Sequence, residues 1–228
     1  MNVFEAIIAR SSVRKFENTP VDDKLIGVLL FMATQSPSAG NVQEWEFFVV
    51  KDEDLKKKIA EAAIHQDFIA QAPVIIVICA NLEKISLKYG KRGELLYSIQ
   101  DTANAAMSLL LAAQGLGLAS CWVGAFDEER LKDILETPPH LRPLVIIPIG
   151  YSAEHPKGKN RIHYETLTYF NKYNEKFDIA YIQPGAAYEI RLKPIANYIK
   201  DELEKRKKKR EKEKKPVTFK EFLKKLSR

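Results

Sequence analysis

Cysteine is nearly absent: the 228 residues include two, Cys79 and Cys121, each inside an apolar run. Neither forms a CxxC pair or has a histidine pair nearby, which excludes the common zinc patterns and gives a disulfide scaffold no support. Two buried, reduced thiols and no metal are the expectation. The four histidines, His65, His140, His155 and His163, show no metal-ligand spacing. No serine stands in a nucleophile-elbow context, so no catalytic triad is expected. Charge is missing from residues 102–126, a run long enough to cross a bilayer. Gly115 and Gly117 interrupt that run, however, and Asn104 and Gln114 would lie at membrane depth. It reads as a buried helix followed by a buried strand, with no membrane partner. Glu5 and Arg10 arrive before any apolar run, so no signal peptide is expected, and the location reads as cytoplasmic.

Charge elsewhere is ordinary in amount and uneven in place. The net charge is +6, but residues 200–228 hold 14 Lys/Arg against 6 Asp/Glu, which leaves the first 199 residues at −2. The basic character therefore belongs to the tail. Its "EKRKKKREKEKK" has no aromatics to stack on bases, and its glutamates dilute the field, so nucleic acid is a poorly supported partner. A solvated charged helix is the plainer reading, and an acidic surface held by charge alone is another. Pro216 ends that helix, and "VTFKEFLKKLSR" restarts with a Thr218-x-x-Glu221 capping box. Phe219, Phe222, Leu223 and Leu226 share one face there, suited to docking on a partner subunit or another protein. The chain divides into a domain at 1–173 and a helical C-terminal extension at 174–228.

Within the body, helices alternate with short apolar strands. Asn2 and Glu5 form a capping-box pair ahead of the stripe Phe4, Ile7 and Ile8. A second helix is expected over 22–35, stopped by the loop "SPSAGN". "EFFVVK" reads as a strand and "DEDLKKKIAEAA" as a helix. "APVIIVICAN" has the β-branched continuity of a strand covered on both faces. A long helix over 95–114, an extended "ASCWVGAF", a helix at "DEERLKDIL" and a last strand "LVIIPIGY" follow. This order makes a layered α/β or α+β sandwich.

One short stretch stands out, "ARSSVRKF", with Arg10 and Arg14 four residues apart around two serines. If the helix continues, both guanidinium groups lie one turn apart and converge on one anion. Two arginine forks and two hydroxyls suit a phosphate. The stretch lies near a helix C-terminus, where the macrodipole is negative, so side-chain cations would have to hold the anion. A solvated basic helix end is the competing reading.

"ARSSVRKF", "SPSAGNVQEWEFFVV", "QDTANAAMSLLLAAQGLGLASCWVGAF", "LVIIPIGY" and "KGKNR", in that order, together resemble the nitroreductase family of FMN-dependent oxidoreductases over roughly residues 1–173. The resemblance implies an α+β, three-layer, homodimeric fold with a central mixed sheet flanked by helices. It implies FMN as cofactor, NAD(P)H as reductant and a ping-pong transfer to a small-molecule acceptor such as a nitroaromatic or quinone. It assigns Arg10 and Ser12, with Lys159 and Arg161, to the FMN phosphate and ribityl chain. Ser11 would line the cofactor through its backbone, and Arg14 would face the ribityl chain and pyrimidine edge. Pro37, Ser38 and Asn41 would reach the flavin from the other subunit. Main chain at Val123, Gly124 and Ala125 would lie beside the ring, and the uncharged helix at 102–114 would be buried at the dimer interface. The chemistry rests on the flavin, so no side chain is assigned a catalytic role. A flavoenzyme specialised for another redox reaction, and a non-catalytic binding protein with a basic tail, are the alternatives.

Glu44 stands where the family usually has proline before the tryptophan, and its carboxylate is expected to face water. Trp45 reads as packing, and Trp122 as either packing or a cofactor neighbour. "GLGLAS" imitates GxGxxG but follows a helix and precedes a strand, the reverse of a dinucleotide fingerprint. Gly115 is expected as the residue just past that helix.

Overall fold

Short polar side chains start the helices and apolar runs build one sheet between them. The computed structural model describes residues 1–156 and 159–175, which fall into two units, Met1–Lys159 and one beginning at Asn160. The charged tail, Pro216 and the amphipathic segment at 218–228 lie outside the described residues.

In the first unit, α1 (Val3–Ala9) begins with the expected box: the Asn2 side chain accepts from Glu5 N–H, and Glu5 accepts from Asn2 N–H. α2 (Asp23–Thr34) starts at Asp22, whose carboxylate accepts from Lys24 N–H at 2.8 Å. β1 (Trp45–Val50), α3 (Glu53–Ala62), the single turn α4 (Phe68–Gln71) and β2 (Val74–Asn81) follow. α5 (Leu82–Arg92) runs through a π turn at Gly93–Tyr97 into α6 (Ser98–Gly115). β3 (Ala119–Ser120), α7 (Glu128–Leu135) and β4 (Leu141–Gly150) complete the unit.

The strands make one sheet in the order β1-β2-β4-β3, with every ladder antiparallel. A parallel component enters through an isolated bridge between Ser12 and Ser120. β2 is buried from Val74 to Ala80, as its β-branched run predicts, yet it pairs antiparallel on both sides. Full burial follows from helices on both faces, whatever the strand direction.

Alternation along β2 and β4 sorts the core into two layers. Val74, Ile76, Ile78, Val145, Ile147 and Ile149 meet Ile26 and Leu29 of α2 and Ala105, Leu109 and Ala113 of α6. Ile75, Val77, Cys79 and Ile146 meet Ile59 of α3, Ile69 of α4 and Leu131 of α7. The result is a helix–sheet–helix sandwich. The uncharged helix thus spends most of its apolar face inside its own chain, with Met107 left exposed. Long runs free of charge are a property of core helices as much as of interfaces.

Two local readings change. Helix α6 ends through Gly117, at φ +78°, not Gly115. Leu118 N–H donates to Ala113 O at 2.8 Å and Gly117 N–H to Gln114 O at 3.2 Å, the paired bonds of a Schellman motif. Lys56 of α3 is a buried lysine that the sequence does not single out. Its ammonium donates to Ala72 O at 2.8 Å and pairs with Glu53 at 2.8 Å.

Candidate functional site

Serine and valine lose little by leaving a helix, and the chain does so at Arg10. That residue is the C-cap of α1, with φ −52° and ψ 125°. The segment beyond is extended against the sheet edge. Ser12 bridges Ser120, Val13 N–H donates to Ser120 O at 3.1 Å, and Phe16 bridges Ser152. Side chains alternate on such a segment: Val13 is buried, while Ser12 and Arg14 are exposed. Arg10, Ser12 and Arg14 therefore share a face at period two, and the helical turn expected between the arginines does not form.

The buried Cys121 thiol registers their convergence. Burial pushes it up, and Arg14, the Ser12 hydroxyl and Arg10 all oppose that rise. Among the described residues the arginine salt bridges belong to Arg130 and Arg142, which leaves the Arg10 and Arg14 guanidinium groups without a carboxylate partner. Arg14 lies 5.7 Å from the Phe68 ring centre, and its N–H donates to Glu154 at 2.6 Å. Glu154, which carries no motif of its own, is the acidic neighbour that sequence reasoning missed. The Ser11 hydroxyl turns back to Ala9 O at 3.3 Å. Two guanidinium groups without a carboxylate salt bridge, beside a hydroxyl, are a fitting donor set for a phosphate, with Glu154 held on the Arg14 backbone N–H.

Lys159 reaches the same helix end. Its ammonium donates to Ile7 O at 3.0 Å and Ile8 O at 2.6 Å, the orphan carbonyls of α1. Arg161 belongs to the second unit, where its guanidinium donates to Asn160 O at 2.9 Å.

Val123 continues the edge, exchanging both backbone bonds with Ile146 at 2.9 and 3.0 Å. Gly124 and Ala125 then stand exposed, and the Ala125 carbonyl accepts from Gln66 at 3.1 Å. A Cβ on Gly124 would come within 3.4 Å of the Trp122 indole nitrogen. Trp122 is 40% exposed and so is not core, whereas Trp45 packs in the core as expected.

The "SPSAGN" loop sits elsewhere on the unit, over α5 and α6. Gly40, Asn41 and Gln43 all have positive φ, between 53° and 59°. Several bonds hold this strained path. The Ser38 hydroxyl accepts from Gln43 N–H at 3.0 Å, Lys84 donates to Gln43 O at 2.7 Å, and Lys88 donates to Gly40 O at 2.8 Å. Ala39 N–H donates to the Asp101 carboxylate at 2.7 Å, and Asn104 reaches Pro37 O at 3.5 Å. Gly40 suits its φ of 53°, and a Cβ there would meet the movable ends of the Tyr89 and Lys88 side chains. Pro37, Ser38 and Asn41 thus belong to one braced loop, and Arg10, Ser12 and Arg14 to one sheet edge.

Glu44 corrects its expectation. It is fully buried, and neither carboxylate oxygen has a hydrogen-bond partner among the described residues. Burial pushes its carboxyl up to about 7; its backbone opposes this, and the neighbouring Asp101 adds to it. The residue lies between the braced loop and β1, a strand covered on both faces, so Glu44 and Trp45 are both buried although successive side chains point to opposite faces.

The Nitroreductase family profile matches residues 7–67 and 63–151. A protein of Methanothermobacter thermautotrophicus, provisionally named NADH dehydrogenase/NAD(P)H nitroreductase, is 35% identical over 72% of this chain and 87% of its own. The FMN reductase (NADPH) of Bacillus subtilis is 25% identical over 78% of this chain and 76% of its own. A crystal structure from Parabacteroides distasonis, also provisionally named NADH dehydrogenase/NAD(P)H nitroreductase, superposes with a TM-score of 0.68 at 28% identity. It covers 76% of this chain and 100% of that one.

Proposed function

The chain belongs to the nitroreductase family, and from that premise we propose that it is an FMN-dependent NAD(P)H oxidoreductase working as a cytoplasmic homodimer. The observation that carries the reading is the Arg10–Ser12–Arg14 face, two arginines without carboxylate partners beside the exposed main chain of Gly124 and Ala125. The FMN reductase name of the Bacillus subtilis relative points to the same cofactor. When bound, FMN would supply the hydride chemistry for a ping-pong transfer from NAD(P)H to an acceptor such as a nitroaromatic or quinone.

The protein's share is binding, charge and shape. Arg10 and Ser12 hold the phosphate, with Lys159 closing that end, and Ser11 lines the cofactor through its main chain. Arg14 keeps a positive charge at the pyrimidine edge, which favours electron-rich flavin. Main chain at Val123, Gly124 and Ala125 borders the ring. Pro37, Ser38 and Asn41 come from the second subunit, consistent with a loop that leads into β1 at one edge of the sheet while Ser12 bridges β3 at the other. A second copy also covers the exposed Phe4, Ile7 and Ile8 of α1. Two free, buried thiols suit a reducing compartment.

Charge-assisted hydrogen bonds contribute about 1.5–3 kcal/mol each. Arg10→Ala is therefore expected to weaken FMN binding by about that amount, a tenfold or greater rise in Kd. Equal flavin retention by variant and parent, measured by fluorescence titration, would remove the phosphate assignment.

A further inference from the structure

Glu44 has a chemical problem that the rest of the fold does not. Its carboxyl is fully buried without a hydrogen-bond donor, and it lies against Asp101, itself buried on α6. Two carboxylates in one dry site cannot both ionise at ordinary cost. Asp101 is the one committed to being an acceptor, because Ala39 N–H already donates to its Oδ2 at 2.7 Å. Its other oxygen can take a proton from Glu44.

The surrounding charges leave this arrangement in place. Lys84 of α5 opposes the rise, but its ammonium is directed to Gln43 O at 2.7 Å. Lys88, also on α5, is directed to Gly40 O, with Tyr89 packed at the same glycine. Glu46, on Glu44's own strand, accepts from Asn81 at 2.7 Å. The Glu44 carbonyl accepts from Asn81 N–H at 2.8 Å, which fixes the backbone beneath the side chain.

We propose that Glu44 and Asp101 share one proton, and that this proton holds the loop at residues 36–43 in place, making Glu44 a positioning residue for the flavin-facing loop. With the proton present, Asp101 accepts from both Glu44 and Ala39, and the three positive-φ residues stay pinned. When the pair loses it, two like charges are left in a buried site, and the Ala39–Asp101 contact is the one able to give way. Burial with Asp101 alongside raises the Glu44 carboxyl to about 7, which brings this loss within an ordinary working range. That the loop faces flavin rests on the function proposed above; that the pair shares a proton does not.

The test uses the full-length protein, Glu44→Gln and Asp101→Asn. Glutamine keeps a donor toward Asp101 and cannot ionise, so it imitates the protonated pair at every pH. Amide exchange of the peptide spanning 36–44 is compared at about pH 6 and about pH 8.5, each parent value divided by that of Glu44→Gln. The parent loop is expected to lose about tenfold protection or more relative to Glu44→Gln across that interval. Its Kd for FMN is expected to rise several-fold over the same range, and that of Glu44→Gln to stay flat. A constant exchange ratio would overturn the shared proton, as would a parent-like profile in Asp101→Asn. Constant FMN affinity in a parent whose loop does loosen would overturn the positioning role and leave the cofactor standing. Loosening without FMN binding at any pH would remove the cofactor reading and keep the proton.

Discussion

Glu44 is the residue whose surroundings conflict most with its chemistry, and that conflict has a thermodynamic signature apart from any ligand. Its pKa in the folded chain is about 7 against 4.5 for an unperturbed glutamate. Between those values the native state holds a proton that the unfolded state has lost, so stability falls as pH rises. The contribution is full below the unfolded value and is lost as pH passes the folded one. The difference amounts to on the order of 3 kcal/mol, at 1.36 kcal/mol per unit. Urea unfolding of Glu44→Gln is expected to lack this decline and to leave the variant the more stable protein at about pH 8.5. Parallel curves for parent and variant would contradict it. The position was legible in the sequence as a departure from the family's proline, but its direction was not. An isolated glutamate is a surface residue far more often than a buried one, and only its burial in the fold, with Asp101 57 positions away alongside, reverses that.

At the scale of elements, four helix starts were legible because they are local, whereas α5 (Leu82–Arg92), capped by Asn81, was not anticipated. Asn2, Asp22, Asp52 and Asp127 each accept from an N–H two or three residues on. The helix end at α6 was harder, since Gly115 and Gly117 both suit a terminus and φ decides between them. A pair of substitutions separates them by sign. Gly117→Ala meets no neighbour within 4 Å but must keep φ +78°, and is expected to cost about 1–2 kcal/mol. Gly115→Ala, helical and equally unobstructed, is expected to stabilise by about 0.5–1 kcal/mol. Thermal unfolding of the two reads the difference, and equal shifts would refute the Schellman assignment. The path of Arg10 to Phe16 was not legible. Its extended form depends on Ser120 and Ser152 as partners, more than a hundred residues away, and a local reading sees only a helix stripe continuing. The pairing of the two arginines survived that error because both periods bring them together.

For the whole molecule, the alternating helices and apolar strands made the layered fold readable, while strand direction depended on connections that no single segment encodes. On the proposed reading a second copy completes the cation face. The braced loop and the Arg10–Arg14 edge belong to different parts of one unit, and α1 leaves Val3, Phe4, Ile7 and Ile8 exposed. A cluster of that kind marks an interaction surface. Light scattering is expected to give a dimer, and Ile7→Glu is expected to shift it toward monomer and to lower FMN retention with it. A parent that is monomeric and still holds FMN would exclude the shared site.

The most direct measurement is the visible spectrum of the purified protein, before and after anaerobic addition of NADH or NADPH. A flavin spectrum is expected that bleaches with at least one of them and returns when an acceptor is added, as FMN-dependent turnover requires. A protein that is colourless and takes up no added FMN would contradict it, because the Arg10–Ser12–Arg14 face would then be holding some other anion.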